Sequence, residues 1–596
     1  MIRTLLLIFV LGGTLFSHTL IGQVLEAPEW ARGMVWYLVM PDRFENGDTP
    51  NDPTAAYVFD DQRIPWKVSE WTANWYERSI EEKMLHEEFY SAAMLRQYGG
   101  DLDGLIGRLD YLRELGVQGL ILTPMFVARS AHKFDVASYH HIDRHFGPVT
   151  DADTALLDQE TLHDPSTWRM TSADRRFVEL IAQAHRRDMR VLMMAQFAHV
   201  GVHFRAFRDV LKKQEKSLYG DWFVVRQWDR PETPFESEFQ YKNMWGIDAF
   251  PVLQQDTLGL VAGPRDHIFA ATQRWMDPDG DGDPSDGIDG WCIDLAGEIP
   301  EEFWREWTDH CRSINPDVLL VNMNQAQGNT VAPFDIDNTR QFGKAVSEFL
   351  LSRIISSTTL DSRLMSLRSR TTLQSGDVLW NLIDFHETDR LASMCVNDAL
   401  PYDRHNTVRR NPTYQIRPPD ESEQDLRRVL LLLQFTLPGS PVIYYGNEAG
   451  MWGGDDPDNR KPMLWPDRNY AHEVSFEVNG DLTPYPNRFD SSLYNYYRKL
   501  IQLRKEWTAL RSGETQTLLI DDYASLYGFM RTAGAEKVFV IVNAGEEAQP
   551  CVLPYLGLPD GVRLYDPFHD LSFYTRRDAV SFVIPGRTAT ILLPPR

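Results

Sequence analysis

Asp286-Gly-Ile-Asp-Gly-Trp-Cys-Ile-Asp294 decides how this chain of 596 residues is read. Within it, residues 290–294 form a short apolar run that closes on a carboxylate, the form of a buried strand with an acidic side chain at its end. Comparable runs lie at 34–40, 117–122, 190–195, 318–321, 378–384 and 441–445, with a weaker one near 345–350. Between them, the apolar residues of 102–115 and 173–187 fall three and four apart, which predicts helices. Strands alternating with helices from about residue 34 to 500 are the sequence form of an α/β protein, a (β/α)8 TIM barrel. Residues 203–251 are too many for a simple connection, so a loop excursion is expected after the third strand. Alternating runs at 518–520, 526–531, 538–543 and 588–593, separated by Gly and Pro, predict a C-terminal antiparallel β-sandwich. The expected division is 23–510 for the barrel and 511–596 for the sandwich.

Residues 1–22 pair Arg3 with an apolar run over 5–10 and end in small and polar residues, the form of a cleavable signal peptide. A secreted or periplasmic protein is therefore expected. That run is too short to span a bilayer, and no later stretch is long enough. Four cysteines, at 292, 311, 395 and 551, lack CxxC spacing, which argues against a disulfide framework or a zinc site. A net charge of −25 argues against nucleic acid as partner and leaves a neutral polymer such as a polysaccharide open.

Three longer segments carry a resemblance: Trp36-Tyr-Leu-Val-Met-Pro-Asp-Arg-Phe-Glu-Asn-Gly-Asp48, Ser138-Tyr-His-His-Ile-Asp-Arg-His-Phe-Gly147, and Tyr444-Tyr-Gly-Asn-Glu-Ala-Gly-Met-Trp-Gly-Gly-Asp-Asp-Pro-Asp-Asn-Arg460. Together with the Asp286 to Asp294 motif they resemble the α-amylase family (glycoside hydrolase family 13), in its neopullulanase and cyclomaltodextrinase branch. The resemblance implies Asp294 as the nucleophile of a retaining glycosidase, which needs a second carboxyl close by to protonate the leaving oxygen. It also exposes departures. Cys292 stands where the family has an arginine beside the nucleophile, and Met323 stands in the position of the general acid. No Asp or Glu lies between Asp317 and Asp335, so a slip of one residue does not restore that acid. Glu387 replaces the third carboxylate, an aspartate, with a side chain one methylene longer. Met194 and Ala198 replace an aspartate and an asparagine.

The sugar-contacting positions implied by the resemblance are better kept. Phe134 stands where a tyrosine stacks under the sugar, and Asp135, His199, His386, Trp452, Asp456 and Arg460 match their motifs. Read alone, Asn46-Gly-Asp-Thr-Pro-Asn-Asp52 is a solvated turn; the resemblance implies a structural Ca²⁺ held by Asn46, Asp48, Asn51, Asp52, Asp101 and the Gly99 carbonyl. The acidic run Asp277 to Asp286 offers no carboxylate at the twelfth position, Ile288, and reads as a solvated turn.

Three functions follow. The first is an exported protein that binds α-glucans or maltooligosaccharides with impaired or absent hydrolysis at the usual site. The second is an active α-glycosidase or transglycosylase with a rearranged acid, Glu387 or one from the excursion. The third is a non-catalytic scaffold or partner subunit. Fold resemblance alone does not choose among them.

Overall fold

The computed structural model describes residues 27–595 apart from 231, 234–236, 324–332, 338 and 370–377. The expected signal peptide, residues 1–22, lies outside the described residues. A seven-stranded parallel sheet forms the centre: Trp36–Val39, Gly119–Leu122, Arg190–Ala195, Gly290–Ile293, Leu319–Asn322, Trp380–Leu382 and Ser440–Tyr444. Sequential strands are neighbours, except that Leu319–Asn322 and Trp380–Leu382 do not pair among the described residues, and the first also pairs with the last, as in a curled barrel sheet. These strands read as unbroken apolar runs because helices such as Ser172–His185, Ala262–Met276, Glu301–Ile314 and Glu421–Thr436 cover one face and the barrel interior the other.

The sixth barrel position departs from expectation. Residues 345–350 lie in helix Arg340–Leu350, where Phe342, Ala345, Val346, Phe349 and Leu350 are buried. Those positions recur three and four apart, so a single helix face buries them all. The strand's place falls to residues 335–336. The Asn322 amide donates to the Ile336 carbonyl at 2.8 Å and the Asp335 amide to the Leu320 carbonyl at 2.9 Å, with one parallel bridge among the described residues, Val321 to Ile336.

The excursion after the third strand carries helix Arg205–Lys213 and the short pair Val225–Gln227 and Gln240–Tyr241, then returns along the third strand's end. At the C-terminus a four-stranded antiparallel sheet and the pair Gln549–Pro554 and Ala579–Ile584 enclose a second core of Phe539, Ile541, Leu553, Val580 and Ile584. Arg531 of that sheet is fully buried and donates to the carbonyls of Thr436, 2.8 Å, and Gly513, 3.0 Å, fastening sandwich to barrel. No helix of the described residues is long and apolar enough to cross a membrane. All four cysteines are buried and unbridged.

A buried ionic clamp holds the hairpin Phe126–Ala128 and Val136–Ile142, whose loop bears Phe134. His141 of that hairpin sits with Nδ1 2.7 Å from Asp174 Oδ2 and Nε2 2.9 Å from Glu160 Oε2. Burial opposes the His141 cation, but the two carboxylates outweigh it and push its pKa up to about 9.

Candidate active site

Asp294 and Met323 each lie one residue past their strands, on the C-terminal face where barrels of this kind carry their chemistry. The ladder runs through them: the Asp294 amide donates to the Ala195 carbonyl and the Met323 amide to the Ile293 carbonyl, both at 2.8 Å. Leu295 follows at φ +55, turning the chain away, and its amide donates to Asp294 Oδ1 at 2.8 Å. Asp294 is thus fixed at the end of the fourth strand and only 4 % exposed.

Beneath it the barrel interior is apolar. Cys292 is in register with Met194 on one side and Val321 on the other, and Cys292, Met194 and Met323 are all buried. Burial, then the neighbouring Asp294 carboxyl, pushes the Cys292 thiol well above its usual range. It is therefore an inert neutral thiol at physiological pH and no substitute for a guanidinium. The Met323 thioether lies 3.8 Å from the Thr339 hydroxyl, which donates to the Met323 carbonyl at 3.1 Å.

The polar side of the site is assembled from several strands. Carboxylate oxygens of Asp294 and Glu387 and a ring nitrogen of His386 all lie within 4.8 Å of one another. Glu387 is not simply displaced. Its Oε2 is taken by Arg340, whose guanidinium also lies 3.8 Å from Asp403 and 4.7 Å over the Phe385 ring. Arg340 begins the helix after the sixth barrel position, outside every motif that carries the resemblance, so sequence reasoning had no signal for it.

His199 and His386 are buried; among the described residues neither ring nitrogen of His386 has a hydrogen-bond partner, while His199 has the Phe134 backbone beside its ring. Burial, with His132 nearby, pushes His199 down to about 4. Burial, then Arg460, Arg340 and His132, holds His386 well below its ordinary value. Both imidazoles are neutral at pH 7. A buried nitrogen without a partner forfeits about 1–3 kcal/mol, so this surface is set to receive hydroxyls.

The other expected sugar contacts divide. Phe134 stacks on His386, ring centroids 5.7 Å apart and planes 28° from parallel, so it belongs to the site. Arg460 donates from Nε to the His386 carbonyl at 2.9 Å and pairs with Asp456 at 3.1 Å, positioning the His386 loop. Asp135 is engaged by its own loop, accepting the amides of Arg129 at 3.1 Å and Ser130 at 3.2 Å. Trp452 is drawn elsewhere, 5 % exposed, stacked on Tyr76 at 5.7 Å and capped by the Lys461 ammonium at 3.7 Å. Its ring is thus packed into this second aromatic cluster. Trp245 and Phe250 of the excursion, passed over in the sequence, flank His199 edge-on at 5.5 Å and 4.9 Å.

The oxygen-rich loop forms one cluster away from Asp294. Asp101 accepts the amides of Gly47 at 3.1 Å, Asp48 at 2.8 Å and Gly104 at 2.7 Å, and the Asn51 amide group at 3.1 Å. The Asn46 and Asn51 side-chain oxygens are buried without a hydrogen-bond partner among the described residues. Gly99, at φ +71, packs so closely that a Cβ there would lie 2.0 Å from Asp52 Oδ1. Burial, reinforced by Asp101, Asp42 and Asp48, pushes Asp52 up to about 6 against the Asn46 hydrogen bond. Orphaned carbonyl-type oxygens beside crowded carboxylates fit a hard divalent cation. The run from Asp277 to Asp286 brings the carboxylates of Asp277, Asp279 and Asp286 within 4.8 Å of one another, and Asp277 accepts the amides of Gly280 at 3.0 Å and Gly282 at 3.1 Å.

The model for the catalytic domain of alpha amylase matches residues 38–163 and 172–513. Neopullulanase 2 of Thermoactinomyces vulgaris is 31 % identical over 535 residues, covering 89 % of this chain and 72 % of that protein. A cyclomaltodextrinase of Geobacillus thermopakistaniensis is 30 % identical over 537 residues, with the same 89 % and 72 % covered. A solved cyclomaltodextrinase structure superposes with a TM-score of 0.67 at 26 % identity, over 95 % of this chain and 79 % of that one. The barrel, the strand-end aspartate and these similarities place the chain in the α-amylase family of glycoside hydrolases, related to its neopullulanases and cyclomaltodextrinases.

Proposed function

We propose that this protein binds α-glucans or maltooligosaccharides over Asp294 and hydrolyses them poorly or not at all. One observation carries the reading. The position that the resemblance assigns to the general acid holds a buried methionine, Met323, while the buried neutral imidazole of His386 has no hydrogen-bond partner among the described residues and is open to sugar hydroxyls. The names of the relatives point to the same ligand class, a cyclomaltodextrin or a pullulan. Loss of a general acid removes about 10²- to 10⁴-fold, or about 3 to 5 kcal/mol of barrier stabilisation. Cys292 adds to that loss, because a neutral thiol stands where the family has an arginine, though effects within one catalytic unit do not add.

A second reading has an observation of its own. Asp294 and Glu387 are close enough for a retaining pair, so a rearranged glycosidase with Glu387 as proton donor is the rival. The Arg340 ion pair counts against it, because Oε2 is already committed.

Calorimetric titration with maltoheptaose, paired with turnover of starch, tests both. Binding without starch turnover supports the proposal; starch cleavage abolished by Asp294→Ala sinks it in favour of the rival. Absence of binding sinks both and favours a scaffold.

The oxygen cluster is proposed to hold a structural Ca²⁺ through Asn46, Asp48, Asn51, Asp52, Asp101 and the Gly99 carbonyl, tying the loop after the first strand to residues 99–101. Export to the periplasm or medium is proposed from the form of residues 1–22.

A further inference from the structure

The tip of the excursion is a tightly stitched loop. Tyr241 Oη donates to the Asp248 carbonyl at 2.7 Å and Asn243 Nδ2 to Asp248 Oδ1 at 2.6 Å. The Met244 amide reaches the Phe250 carbonyl at 2.9 Å, Ile247 the Met244 carbonyl at 2.9 Å, and Phe250 the Ile247 carbonyl at 3.0 Å. The loop is anchored to the barrel face by a bridge between His199 and Val252, and by the Leu253 amide donating to the Ala198 carbonyl at 3.1 Å.

At the apex of this rigid loop, Trp245 is 61 % exposed and sits at φ +54, ψ +18, with Gly246 following at φ +76. Both properties are unfavourable for a tryptophan. A bulky residue in the left-handed region is a steric outlier, and an indole left in water forfeits the gain of burial. The indole nevertheless has a defined place, edge-on to His199 at 5.5 Å and to Phe250 at 6.0 Å. Strain held by surrounding hydrogen bonds, with an aromatic face kept open beside a site imidazole, is the arrangement of a ligand clamp.

We propose that Trp245 is the stacking platform for a linear α-glucan where it leaves the Asp294 floor. The apolar C–H face of one glucosyl ring covers the indole, while hydroxyls of that chain reach the His199 imidazole beside it. The platform makes the site selective for oligosaccharides over maltose, because only a chain of several units reaches the floor and the apex together. This inference rests on the proposal that the Asp294 cleft binds α-glucans.

The test compares wild type, Trp245→Gly and Trp245→Tyr by calorimetry with maltose and maltoheptaose, together with thermal unfolding. Glycine removes the ring and also relieves the left-handed strain, so the unfolding midpoint is expected to stay or rise. Maltoheptaose affinity is expected to fall roughly tenfold in Trp245→Gly, to stay within about threefold in Trp245→Tyr, and maltose binding to change little. Equal maltoheptaose affinity in wild type and Trp245→Gly overturns the platform and leaves the floor as the binding site. A lowered unfolding midpoint in Trp245→Gly with equal losses for both sugars also overturns it, since that is a structural role. If wild type binds no maltoheptaose, both this inference and the functional proposal fall.

Discussion

Met323→Glu returns a carboxyl to the end of the fifth strand, and the structure limits what it regains. General acid catalysis is worth about 10²- to 10⁴-fold. Here the new carboxyl enters a position 1 % exposed, with the Thr339 hydroxyl 3.8 Å from the present sulfur as a polar neighbour and the neutral Cys292 where the family's guanidinium stands. Burial favours the protonated form, which suits the first proton transfer and slows the second, when the same group must act as base. The expected recovery therefore lies at or below the low end of that range, about 10- to 100-fold, or about 1.4 to 2.7 kcal/mol. The folding cost is about 1–3 kcal/mol for a buried polar group with incomplete hydrogen bonding. The assay is the ratio of kcat/KM for α-glucosyl fluoride to that for maltotriose. Fluoride departs without protonation, so the ratio isolates the acid and is insensitive to the fraction of folded protein. It should be large in wild type and shrink about 10- to 100-fold in Met323→Glu. An unchanged ratio in a folded variant refutes the reasoning, as does a wild type that already cleaves maltotriose as readily as the fluoride.

Arg340→Ala frees Glu387; maltoheptaose affinity measured by calorimetry should fall several-fold, while stability drops by less than about 1 kcal/mol because both side chains are about a third exposed. Unchanged affinity shows that the pair does not shape the site. Chelation should lower the thermal midpoint and Ca²⁺ restore it, with Asp101→Asn abolishing the response; a midpoint indifferent to both ions and chelator removes the calcium assignment. His141 has a folded pKa near 9, above its ordinary 6.5, so its contribution is complete below about pH 6.5 and is lost as pH rises through about 9. At most about 3 kcal/mol should disappear from denaturant-derived stability over that window, and His141→Gln should flatten the slope.

Much of the barrel was legible because each strand is buried on both faces and therefore written as an apolar run, with Arg190–Ala195 matched residue for residue. The sixth strand was not. Residues 345–350 are apolar enough for a strand, yet their neighbours from Phe342 onward complete a helical face, and the true position at 335–336 is too short to leave a periodic signature. Of the residues singled out through motifs, Asp294, Met323, Cys292, His199, His386 and Phe134 lie on one face of the barrel. Trp452 shared that motif support but faces a different cluster, because a ring's partners are chosen by packing across the chain.

The sequence by itself determined which chemical groups occupy the strand ends: a carboxylate at 294, a thiol at 292 and a thioether at 323, since those identities follow from the alternation of strands and from motif order. Only the tertiary structure decided what those groups can do. Arg340, 47 residues before Glu387, claims its carboxylate, and Trp245 is brought from the excursion to His199. Pairings of that kind depend on distances across the barrel face, which no local pattern of residues encodes. The same burial that makes the strands readable also neutralises Cys292, His199 and His386, and it acts through the surroundings the fold supplies.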